Sequence, residues 1–108
     1  MAYDEQLDAR VADIAMEWGA MRRKMFGGTG YMLNGNMMAG VWRESLIVRL
    51  SGEEGAAALE LPHVRPFDIS KNPMSGWIMV DGEMLEEDHV LIDWLERARE
   101  FVETLPEK

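Results

Sequence analysis

The sequence predicts an α+β fold in two layers, an antiparallel sheet of about five strands packed by the N- and C-terminal helices. Three observations carry this reading. Apolar residues recur at helical spacing near both ends of the chain, and apolar and polar residues alternate over short runs between them. The element order, α-β-β-β-(α)-β-β-α, lacks the regular strand-helix alternation that builds parallel sheets. With 108 residues, 47% of them hydrophobic and 29% charged, the chain suits one hydrophobic core rather than two, so residues 1–108 read as one domain.

Each element has a local cause. From Asp4 to about Trp18, Leu7, Val11, Ile14 and Trp18 fall on one helical stripe, with Asp4 and Glu5 suiting the positive end of the helix dipole and Gly19 closing the last turn. Met21 to Phe26 alternates apolar with basic residues and leads, as a strand, into Gly27-Gly28-Thr29-Gly30, where the glycines suggest a bend or bulge. Tyr31-Met32-Leu33 and Met37-Met38-Ala39 flank Asn34-Gly35-Asn36, and Asn-Gly between apolar runs is a strong hairpin signal because both residues tolerate positive φ. Val41-Trp42 continues the second arm, Arg43-Glu44 turns the chain, and Leu46, Val48 and Leu50 mark the next strand.

Gly52 to Leu61 is rich in Ala and Glu and reads as a short helix, ended by Pro62, His63 and Pro66. Phe67-Asp68-Ile69 is expected as a short strand and Gly76 to Val80 as the last one, with Asp81-Gly82 turning the chain. Leu91, Trp94, Leu95, Ala98, Phe101, Val102 and Leu105 form the apolar stripe of a closing helix that stops at Pro106. Its outer face is expected to pair Asp93 with Arg97 and Glu96 with Arg99.

Composition narrows the function. Zero cysteines removes disulfides, thiolate nucleophiles and Cys-ligated zinc. Eleven Lys and Arg against twenty Asp and Glu give a formal charge of −9, a field that repels a phosphate backbone and argues against direct nucleic-acid binding. The N-terminus has no basic-then-apolar signal pattern and no apolar run approaches a membrane span, so a cytoplasmic protein is expected.

No catalytic or metal-binding motif is assembled, and no cofactor is expected. The glycines at Gly27, Gly28 and Gly30 lack the third fingerprint glycine, because Leu33 stands there, and lead into a hairpin instead of a helix. His63 and His89 are 26 positions apart and read as a loop residue and a first-turn helix residue. The serines lack a nucleophile elbow. Arg22, Arg23 and Lys24 form the one basic cluster, read first as a solvated strand and second as a hold for an anion or acidic partner. Ten Met and four Trp exceed what the core takes up. Met32, Met37, Met79, Trp18 and Trp94 are assigned to it, and Trp42 and Trp77 are left for an interface.

Several patterns together resemble the N-terminal domain of TfoX/Sxy-type proteins: Lys24-Met25-Phe26-Gly27-Gly28, Asn34-Gly35 with Met37, Pro66-Phe67, Pro73-Met74 with Gly76-Trp77, and the helix bearing Trp94, Ala98, Phe101 and Leu105-Pro106. The resemblance implies an α+β domain with an antiparallel sheet, in a family named for a regulator of bacterial competence that works alongside another transcription regulator. It implies no agreed catalytic residue or cofactor. Asn72 and Ser75 stand where members often carry basic residues, and the chain ends at Lys108 with no second helical domain expected.

The expectation is therefore a non-enzymatic regulatory or protein-interaction module with an unidentified protein partner, a homodimer through a sheet edge being a further expectation. The candidate surface is Arg22, Arg23, Lys24, Gly27, Gly28, Trp42 and Trp77. The alternative is a binder of a small anionic ligand or nucleic acid through Arg22-Arg23-Lys24 and the Gly27–Gly30 corner. An enzyme using clustered carboxylates or His63 comes third.

Overall fold

Helix α1 (Glu5–Ala15) starts where the Asp4 carboxylate accepts the backbone N–H groups of Gln6 and Leu7 at 3.0 and 3.1 Å, satisfying two of the donors a helix start leaves free. The computed structural model describes residues 3–25, 27–67 and 74–108. After α1 a 3-10 turn (Met16–Trp18) ends at Gly19, whose φ of +90° is the left-handed terminator expected of it. The chain continues through β1 (Met21–Met25), β2 (Gly28–Leu33), β3 (Asn36–Trp42), β4 (Ser45–Arg49), α2 (Gly52–Ala58), β5 (Val64–Pro66), β6 (Trp77–Asp81) and α3 (Asp88–Val102).

Six strands form one sheet in the order β1-β2-β3-β4-β6-β5, every neighbouring pair antiparallel. The β2–β3 hairpin turns at Asn34 and Gly35, both with positive φ, as its two-residue loop requires. The register shifts by one residue between Tyr31 and Met32, away from the glycines expected to hold a bulge. Helix α2 packs through Gly55 against Gly76 and carries the chain past a position that β6 later fills.

The strand expected at Phe67-Asp68-Ile69 lies earlier, at Val64–Pro66. The prolines on either side of His63 and Val64 read as breakers, but β5 is an edge strand, where a proline removes no ladder bond. Phe67 follows the strand, and Asp68 and Ile69 lie outside the described residues, as do Phe26 and the loop through Pro73.

One core fills the space between sheet and helices. Leu7, Val11 and Ala15 of α1 and Leu91, Trp94, Leu95, Ala98 and Val102 of α3 meet Tyr31, Leu33, Val41, Leu46, Val48, Ile78 and Val80 of the sheet. Of the residues assigned to the core from sequence, Trp94 is buried in it with Trp18 half-buried against it, whereas Met79 is buried on the opposite face of the sheet with Met37 half-buried beside it, and Met32 is half-buried.

The expected pairs on α3 do not form. Arg97 lies 3.7 Å from Glu54 with its guanidinium over Trp94, and Arg99 pairs with Glu103 while covering Trp18. Exposed ion pairs on a helix are worth little, so the choice of carboxylate is set by where the aromatic faces of Trp94 and Trp18 hold the two guanidiniums.

Candidate functional site

The basic cluster divides once the strand forms. Arg22 points to the helix face and is committed to Asp8 of α1, donating from Nε at 3.0 Å and Nη2 at 2.7 Å to Oδ2. The other carboxylate oxygen accepts the Tyr31 hydroxyl at 2.6 Å and the Thr29 hydroxyl at 2.8 Å. Asp8 is only 6% exposed. Burial by itself pushes its pKa up, but the hydrogen bonds of Tyr31, Arg22 and Thr29, with the charge of Arg22, outweigh that and hold the carboxyl below the usual 3.8. The same carboxylate raises the Arg22 pKa, and burial together with Asp8 raises that of Tyr31.

Arg23 and Lys24 are exposed on opposite faces of β1, and neither has an ion pair among the described residues. Gly28 and Gly30 belong to β2. A β-carbon at Gly28 would collide with the Val41 carbonyl oxygen, and one at Gly30 would meet the Met25 side chain at 2.8 Å. These glycines serve close strand packing and leave no cradle for an anion. Gly27 sits in the turn before β2.

Trp42 and Trp77 share the face of the sheet that points away from the helices. They stand at opposite ends of it, Trp42 across from Ser45 and Trp77 across from Arg49. Between them lie Ile47 and Met79, nearly inaccessible because Met37, Trp42, Trp77 and Phe67 surround them. Phe67 and Trp77 rings are 5.8 Å apart, and the guanidiniums of Arg43 and Arg49 lie over Trp42 and Trp77 at 4.3 and 5.1 Å. No helix residue belongs to this second cluster among the described residues.

At the Trp42 end an open cleft of about 1060 Å³ runs past Tyr3, Arg43, Arg65, Asp81 and Glu83. His63 beside it has Nδ1 2.7 Å from Glu83 Oε1 and 3.6 Å from Asp81 Oδ2. The three groups match in type and spacing what a divalent cation takes. Arg65 already supplies a positive charge there, donating to Asp81 Oδ1 at 3.0 and 3.2 Å and to the Ser45 hydroxyl at 3.1 Å.

Two arrangements escaped the sequence reading. Asp8 carried a signal, standing three and seven residues before Val11 and Ala15 and therefore on the buried side of α1. The His63, Asp81 and Glu83 group carried none, since β5–β6 pairing brings its members together.

An antiparallel sheet backed by helices on one side, with Trp, Met and Arg displayed on the other, defines a small two-layer α+β domain. The chain belongs to the TfoX N-terminal domain family, which matches it over residues 16–102. That family is associated with competence regulation. No curated protein and no solved structure matches the chain. No helix among the described residues is long and apolar enough to cross a membrane.

Proposed function

We propose that this chain is a non-enzymatic regulatory module of the cytoplasm that acts by binding another protein across the open face of its sheet. The observation that carries this is the pair Trp42 and Trp77, held at the two ends of an apolar strip that no described helix covers. Aromatic anchors of this kind supply most of the binding energy at protein interfaces, and Met37 beside them offers a side chain that adapts to its partner.

Affinity capture tests it. The wild-type chain is expected to retain proteins that Trp42→Ala and Trp77→Ala baits lose, and the absence of any tryptophan-dependent partner sinks the reading. An anion or nucleic-acid site through Arg22, Arg23, Lys24 and the Gly27–Gly30 corner is less favoured. Arg22 is engaged by Asp8, Arg23 and Lys24 face opposite ways, and Gly28 and Gly30 are packed, leaving Gly27 as the exposed glycine of the corner. A salt-dependent oligonucleotide titration is expected to be flat.

A further inference from the structure

We infer that the free edge of β1 takes up an extended, acidic segment of a partner protein as an added strand. This rests on the interaction reading above and names the partner's chemistry. Strand β1 is an end of the sheet, bonded on one side to β2. Among the described residues, nothing hydrogen-bonds to its other side. Such a row of N–H and C=O groups is a template for another strand. The opposite edge is poorly suited, because β5 has three residues and one of them is Pro66.

Charge selects the occupant. In a chain of net charge −9 this edge reads Met21-Arg22-Arg23-Lys24-Met25, and Asp8 neutralises only Arg22. A second copy is a poor partner. Antiparallel self-pairing centred on Arg23 sets Arg23 against Arg23 and Arg22 against Lys24, and sliding by one residue either way still opposes basic residues. Like charges directly opposite destabilise a strand pair. A phosphate chain gains nothing from the ladder and meets the acidic field of the rest of the surface.

The register dictates the complement. Arg23 and Lys24 project from opposite faces, so their partners are two consecutive carboxylates on the added strand. Met21 and Met25 share the open face with Arg23 and lie opposite Met32 and Gly28, so apolar residues belong across from them. The complementary antiparallel segment reads apolar, acidic, acidic, polar, apolar, and its first, third and fifth residues extend the face that carries Trp42 and Trp77.

A displayed library of random 12-residue peptides, selected on the full chain, tests this. Enrichment of adjacent Asp or Glu flanked by Val, Ile or Thr is expected. The best synthetic peptide should bind at least tenfold more weakly to R23E/K24E and protect the β1 amides from hydrogen exchange. N-methylating one alternate set of its amides should abolish binding, while the other set is tolerated. If R23E/K24E loses its native circular dichroism spectrum, R23Q/K24Q replaces it, with a loss of at least threefold expected. Enriched peptides without acidic bias, indifference to both methylation sets, protection elsewhere, or a dimer built on β1 would each overturn the inference. If these tests fail while tryptophan-dependent capture persists, the open-face reading stands and the edge assignment alone falls. If capture loses its tryptophan dependence, the reading itself falls.

Discussion

Asp8 shows how much one residue can decide. Its carboxylate accepts four hydrogen bonds, from Arg22, Thr29 and Tyr31, and ties α1 to β1 and β2 at once. Asp8→Ala leaves the guanidinium and the Thr29 hydroxyl without their acceptor, and the Tyr31 hydroxyl with only the backbone carbonyl of residue 8, and should cost about 3 kcal/mol in denaturant unfolding. Tyr31→Phe removes one donor and should cost about 1.5 kcal/mol. Because the folded carboxyl titrates below its unfolded value of 3.8, its contribution is complete above that value and is lost as pH falls through the lower folded value. Stability measured from pH 6 to pH 2 should therefore fall less steeply in Asp8→Asn than in the wild type. Position on the buried side of α1, three and seven residues before Val11 and Ala15, signalled the burial of Asp8, though the stripe of Leu7, Val11, Ile14 and Trp18 left it out. Its partners were not legible, because Arg22 and Tyr31 meet it only after two strands pair.

Among the elements, β2 and β3 set the tightest constraint. Gly28 and Gly40 let the two strands approach so closely that a β-carbon on either would run into the carbonyl oxygen of Val41 or Thr29. Gly28→Ala should cost about 3 kcal/mol, since backbone and not a flexible side chain must give way. Gly19→Ala, with open space around it and φ of +90°, should cost only about 1 kcal/mol. Thermal unfolding of the two variants separates steric from conformational roles. The hairpin at Asn34-Gly35 was readable from two residues because its turn is local chemistry. The position of β5 was not, since pairing with β6 decided it against the local discouragement of two prolines.

Across the whole molecule, the two faces of the sheet differ in kind. The helix face holds the continuous core, whereas on the other, among the described residues, Ile47 and Met79 are covered by the neighbouring side chains of the sheet and Phe67. A net charge of −9 adds self-repulsion that salt screens. Raising ionic strength from about 10 to 200 mM should move the urea midpoint upward with the slope unchanged. A changed slope would instead indicate altered compactness.

Local rules acting within a few residues determined the helical stripes, the hairpin, the absence of cysteine chemistry and the α+β class, and these could be read along the chain. Only the tertiary structure decided that Arg22 turns inward while Arg23 and Lys24 have no ion pair among the described residues, that Trp42 and Trp77 share one face of the sheet, and that His63 meets Asp81 and Glu83. Each of those outcomes depends on which strands become neighbours, and neighbours are chosen by burial of the whole core rather than by any one segment.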